Sequence, residues 1–122
     1  MNLRWYQQES IQSIFTYFEN GNTGNPVIAL PTGTGKSLVI AGFVQKVLRM
    51  WPRQRFMVLT HVKELIEQNH GKLMQAWPTC PAGIYSAGLK QKDVMDSVIF
   101  GGCASVVKTI EAFGHRDLLI ID

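Results

Sequence analysis

Leu30-Pro31-Thr32-Gly33-Thr34-Gly35-Lys36-Ser37, directly behind the apolar run Pro26 to Leu30, decides how this chain is read. A buried strand over Val27 to Leu30, a glycine-rich loop and a helix opening at Ser37 form one device for holding a phosphate chain. The loop Thr32-Gly33-Thr34-Gly35 must turn several backbone N–H groups inward at once. Gly33 and Gly35 permit the conformations and the close approach that a side chain would block. Lys36 reaches the β and γ phosphates, the Ser37 hydroxyl ligates Mg²⁺, and the helix N-terminus adds its positive dipole end. The general P-loop expression asks for Gly where Leu30 stands; Gly-x-Gly-Lys-Ser is otherwise complete. The ligand implied is a nucleoside triphosphate with its magnesium.

The rest of the composition bounds what surrounds this loop. A chain of 122 residues with 46% hydrophobic content is the size of one domain and can build a core. The formal charge of +3 permits a polyanionic partner without arguing for one. Cys80 and Cys103 have neither Cys-x-x-Cys spacing nor paired histidines, so both read as small apolar residues, reduced as in a cytosol. No signal-peptide core and no run near the roughly 18 apolar residues of a membrane span is present. A cytoplasmic protein without a membrane anchor is expected.

Along the chain, Ile11, Ile14, Phe15 and Phe18 fall at helical spacing within Gln7 to Asn20, and Asn20 to Pro26 breaks the pattern with turn residues. Ser37 to Met50 reads as an apolar helix closed by Trp51-Pro52. Arg55 to Thr60 reads as a strand apolar on both faces, as parallel sheets require. A helix over His61 to Gln75, a short strand at Gly83 to Tyr85, a strand over Asp96 to Gly101, a helix over Ser105 to Phe113 and a strand over Asp117 to Ile121 follow. This alternation predicts an α/β fold in which a parallel sheet carries helices on both faces and ligands gather at the carboxyl ends of its strands. Its final strand, Leu118-Leu119-Ile120-Ile121, ends at Asp122, where a P-loop NTPase places the carboxylate that holds Mg²⁺ opposite the loop serine.

Four blocks together resemble the superfamily-two nucleic-acid helicases and translocases, from Leu3 to the last residue. Leu3-Arg4-Trp5-Tyr6-Gln7-Gln8 is similar to the motif that recognises adenine through its Gln. Leu30 to Ser37 resembles motif I, Thr60-His61-Val62-Lys63-Glu64-Leu65 with Gln68 resembles motif Ia, and Leu118 to Asp122 resembles the opening of motif II. More narrowly, His61 to Leu65, Gln68-Asn69-His70 and Ala87-Gly88-Leu89-Lys90 resemble the bacterial RadD group of DNA-repair helicases. The resemblance implies a RecA-like ATP-binding domain that uses ATP and Mg²⁺, binds nucleic acid, with DNA favoured and RNA left open, and works with a second RecA-like domain. It gives Lys36 and Asp122 to catalysis, and Ser37 and Asp122 to the metal.

The individual residues also have plainer readings. A glutamine amide matches the N6 and N7 edge of adenine, which makes Gln7 the candidate reader, with Gln8 able to exchange roles and Arg4 stacking on the base or approaching the phosphates. Without the loop behind it, Gln7 is a surface residue of a first helical turn. Thr60, Lys63 and Ser105 are the candidates for gripping nucleic-acid phosphates, Thr60 and Ser105 being equally suited to cap the helices that follow them. Lys90, Lys92 and Lys108 extend a basic track or are solvated surface charges. His61, His70 and His115 read as structural.

Hydrolysis also needs a group that orients water and positive charge for the γ-phosphoryl transition state. The resemblance assigns these to a Glu after the motif II Asp and to arginines of the second domain. Neither these nor the strand of motif III is in the sequence. The chain is therefore expected to be an incomplete first domain, marginal in stability and inactive by itself. Two alternatives stand beside it: a small-substrate P-loop enzyme of the kinase kind, and a non-catalytic remnant acting through a partner.

Overall fold

The computed structural model describes residues 2–31 and 33–122. Helix α1 (Trp5–Glu19) is followed by α2 (Lys36–Met50), β1 (Phe56–Thr60), α3 (Lys63–Ala76), β2 (Ala82–Ser86), β3 (Gln91–Lys92), β4 (Val98–Gly102), α4 (Cys103–Val107), a 3₁₀ turn (Ile110–Phe113) and β5 (Leu118–Ile121). The strands form one sheet in the order β3-β2-β4-β1-β5. All pairings are parallel except that of the short β3, which returns antiparallel beside β2. The fold is an α/β parallel sheet, consistent with part of a RecA-like P-loop domain.

Successive side chains of a strand point to opposite faces, and because both faces are covered at β1, β2 and β4 these strands are mainly apolar. On one face, Phe56, Val58, Ile84, Val98 and Phe100 pack against α1, α2 and α3; on the other, Met57, Tyr85 and Ile99 pack against Val106 and Phe113. Phe56, Val98 and Ile99 are completely buried. Helix α2 is the most enclosed, burying Val39, Ala41, Gly42, Phe43, Val44, Val47 and Leu48. Gly42 lets α1 approach it: a Cβ there would lie 2.7 Å from Ile11 Cδ1 and 3.0 Å from Leu3 Cδ1.

Two expected elements differ, and one strand was not expected. Val27 to Leu30 is not a strand: it joins no ladder, and Val27 is 88% exposed. A strand needs a neighbour for its backbone groups, and β5 pairs only with β1, leaving Leu119 and Ile121 57% and 75% exposed. Ser105 to Phe113 is not one helix but α4, beginning at Cys103, and a separate 3₁₀ turn. Strand β3 had no signal because its two residues, Gln91 and Lys92, are both exposed.

Candidate functional site

The loop is shaped by two left-handed glycines, Gly33 at φ 84° and Gly35 at φ 77°. The Thr34 N–H and its hydroxyl both donate to the Pro31 carbonyl, at 3.3 and 2.7 Å, closing a tight turn. Gly35 is the N-cap of α2 and supplies no side-chain cap. The first amides of a helix lack intrahelical acceptors, so this terminus presents N–H groups and the positive dipole end to an anion. Lys36, the first helical residue, is exposed. Among the described residues it has no carboxylate partner, which leaves the ammonium free to meet a phosphate. Thr32 lies outside the described residues.

Gln7 is buried to 3% exposure under the loop. Its Oε1 accepts from the Arg4 N–H at 2.8 Å, and its Nε2 donates to the Thr34 carbonyl at 2.8 Å and, more weakly, to that of Gly35 at 3.5 Å. The surface reading of Gln7 does not hold: its amide braces the loop. One lone pair of Oε1 stays uncommitted and can accept from an adenine amine while the Arg4 N–H keeps the other. Gln8 is exposed and donates to the Leu3 carbonyl at 3.1 Å; Arg4 is exposed and lies 3.3 Å from the Tyr6 hydroxyl. A groove of about 790 Å³ between α1 and α2 includes Leu3, Trp5, Gln8 and Lys46 but no loop residue, so it is not the phosphate site.

The serine after Lys36 and the aspartate after β5 are joined through α3. Ser37 Oγ donates to Asn69 Oδ1 at 2.7 Å, Asn69 Nδ2 donates to Asp122 Oδ2 at 3.0 Å, and Gln68 Nε2 donates to Ser37 Oγ at 3.0 Å. Ser37 and Asn69 are 3% and 1% exposed. Asp122 is placed by its own N–H, which donates to the Leu59 carbonyl at 2.9 Å and so extends the β1–β5 pairing by one residue. A hydroxyl and a carboxylate are hard oxygen donors, the set that suits Mg²⁺ rather than a softer metal, and the residues present fit that ion. Among the described residues no cluster of three or more His, Cys, Asp or Glu offers another metal site. Gln68 and Asn69 entered the sequence reading only as part of a resemblance. What marks them in sequence is two adjacent amides in a helix, with Asn69 on the face that also buries Ile66 and Leu73.

Of the candidates for nucleic acid, Thr60 is 2% exposed and its Oγ1 accepts from the Val62 N–H at 3.2 Å, ordering the entry to α3. It does not cap that helix in the usual way, since the N-cap is Val62. Ser105 lies inside α4 rather than at its start, and its Oγ accepts from the Ala87 N–H at 3.0 Å. Lys63, exposed at the start of α3, runs past Gly88, where a Cβ would lie 3.5 Å from Lys63 Cδ. Lys63 and Ser105 thus meet at the turn Ala87 to Lys90, beside the carboxyl ends of β1, β2 and β4. The histidines carry no catalytic grouping: His70 packs edge-on to Phe100, and His115 pairs with Asp117. Cys80 is buried as an apolar residue would be; Cys103 is exposed.

The family model of the type III restriction enzyme res subunit matches residues 1–122. The chain belongs to that family. No curated protein matches it. Membership in the res-subunit family makes this an ATP-dependent, helicase-like domain of superfamily two, and it sets the metabolite-kinase alternative aside. Domains of the res-subunit family use ATP with Mg²⁺ in general, and suggest nucleic acid and a second domain as partners. No helix among the described residues is long and apolar enough to cross a membrane.

Proposed function

We propose that this chain is the ATP- and Mg²⁺-binding part of the first RecA-like domain of a DNA helicase or translocase of the RadD kind, serving repair or recombination in the cytoplasm. The loop from Thr32 to Gly35 and the start of α2 hold the triphosphate, Lys36 neutralises the β and γ phosphates, and Ser37 and Asp122 hold Mg²⁺. When bound there, Mg²⁺ would supply positive charge against the triphosphate. Arg4 and Gln7 serve the adenine side, Gln7 with the lone pair it does not spend on the brace. Lys63, the amides ordered by Thr60, and the turn tied by Ser105 grip the phosphates of a single strand, with Lys90 and Lys92 nearby. Groups from a second RecA-like domain complete the hydrolytic site, and nucleotide-driven closure between the domains moves the strand.

The observation that carries this reading is the convergence of Ser37 and Asp122, 85 positions apart in sequence by their numbers, on the two ends of one carboxamide. A remnant acting only through a partner has no need of that arrangement. Calorimetric titration with ATP and Mg²⁺ tests it, with Lys36→Ala alongside and circular dichroism on both. Saturable binding, lost in folded Lys36→Ala, is expected; equal binding by both proteins would overturn the assignment of the loop. Single-stranded DNA and RNA oligomers of the same sequence then test the second surface, with DNA favoured and binding weakened by Lys63→Ala.

A further inference from the structure

The proton pattern around Asn69 is fixed by elementary chemistry. An ionised carboxylate only accepts hydrogen bonds, so the amide end of Asn69 that faces Asp122 must be the NH₂ end. Its carbonyl end then faces Ser37, and the Ser37 hydroxyl must point its proton at Asn69. A serine oxygen has two lone pairs; one receives the Gln68 amide, and the other is left for a cation. A neutral hydroxyl serves as a metal ligand only when its proton is turned away from the ion. The same carboxamide holds one oxygen of Asp122 in place and leaves the other open.

We infer that Gln68 and Asn69 are positioning residues for the metal: they set the proton of Ser37 and the orientation of Asp122 so that both oxygens are ready for Mg²⁺ before nucleotide arrives. The inference rests on the proposed nucleotide reading. Its physical basis is general, since the groups behind metal ligands fix ligand orientation, and losing one commonly costs roughly 10 to 100-fold in metal affinity. Asparagine is the side chain that does this: it offers a donor and an acceptor from one planar end, whereas an aspartate at 69 would repel Asp122 and a leucine would leave the Ser37 hydroxyl without its buried acceptor. Asn69 is held rigidly by its own burial, and Gln68, exposed one residue earlier, closes the group from the solvent side.

The test is the Mg²⁺ concentration giving half-maximal ATP binding, measured by calorimetry and set against ATP binding in chelator. In Asn69→Ala this concentration is expected to rise about 10 to 100-fold, with the metal-free ATP affinity unchanged. Gln68→Ala, at an exposed position that leaves the core intact, is expected to move it the same way, by about 10-fold. An unmoved Mg²⁺ requirement in folded Asn69→Ala overturns the inference. So does a parallel fall of metal-free and metal-dependent binding, which is what a merely structural role produces. If Asn69→Ala does not fold, Gln68→Ala decides by the same criterion. Absence of Mg²⁺-dependent ATP binding by the unsubstituted chain would instead overturn the nucleotide reading, and this inference with it.

Discussion

The side-chain amide of Gln7, in the first turn of α1, donates to the main-chain carbonyl of Thr34 in the phosphate loop at 2.8 Å. It is a long-range tie between the start of the chain and the loop, and both partners are held in turn. The Gln7 oxygen is fixed by the Arg4 N–H, and the loop carbonyl belongs to the turn closed by Thr34 on Pro31. The loop is therefore not shaped by its glycines alone. Beneath it lies a buried glutamine, and the resemblance that named Gln7 as a reader of adenine leaves this bracing role out.

Gln7→Ala removes both halves of this brace and leaves polar backbone groups without partners. A loss of about 1–3 kcal/mol in unfolding free energy is expected, read from urea denaturation. The bracing share of its function appears as a fall in affinity common to ATP and GTP. The adenine share appears as loss of whatever preference ATP holds over GTP. An unchanged affinity for both nucleotides would refute the brace.

Gly35→Ala meets two separate penalties. At φ 77° an L residue is strained, at a cost of about 1–2 kcal/mol, and the new Cβ would lie 2.5 Å from Gln7 Nε2. The second penalty requires Gln7 and the first does not. The double variant with Gln7→Ala is therefore expected to be more stable than the sum of the single losses implies, by about 0.5–3 kcal/mol, the usual range for residues in contact. Strict additivity would show that the contact does not govern the loop.

What the sequence carried, and what it could not, follows from where each signal lies. Phe56 to Thr60 and Val98 to Gly101 announce buried parallel strands because both faces are apolar, and the structure places cores on both sides of them. Val27 to Leu30 has the same local composition and is not a strand, because pairing depends on a neighbour that no local pattern specifies. Loop, Lys36, Ser37 and Asp122 were nominated from the sequence pattern alone. The link between Ser37 and Asp122 was not, since Asn69 is one amide among several in a polar helix and its meaning comes only from three elements meeting there. Ser105 was misplaced for a similar reason: its hydroxyl meets Ala87, on a different loop, instead of the helix it was expected to cap.

Arg116 is a structural cation with no part in the nucleotide reading. Its guanidinium donates to the carbonyls of Asp96 at 2.7 Å, Val94 at 2.8 Å, Ser97 and Phe113 at 3.1 Å, and Phe56 at 3.3 Å. These carbonyls come from the approach to β4, the start of β1 and the end of the 3₁₀ turn, so one side chain gathers three segments. Arg116→Ala is expected to cost about 2–4 kcal/mol, as hydrogen bonds to a charged group do when several are lost together. Arg116→Lys recovers little, because an ammonium cannot span the fan of carbonyls that a planar guanidinium reaches. Recovery of more than half of the loss by lysine would mean that charge rather than geometry holds the segments together.

The two cysteines give a prediction with a defined pH window. Burial, aided by the negative charge of Asp96, raises the Cys80 thiol from its ordinary 9.0 to about 11. The folded chain therefore holds this proton more tightly than the unfolded chain. The stability tied to the neutral thiol is fully present below pH 9 and is lost as the pH rises from 9 through 11. Unfolding free energies at pH 8 and pH 10 should converge more closely in Cys80→Ala than in the unsubstituted chain. At pH 8, iodoacetamide is expected to label the exposed Cys103 and to spare Cys80 until denaturant is added, by mass spectrometry of the two peptides. Rapid labelling of Cys80 in the folded chain would show that the packing of Cys80 between α3 and β2 opens far more readily than its burial implies.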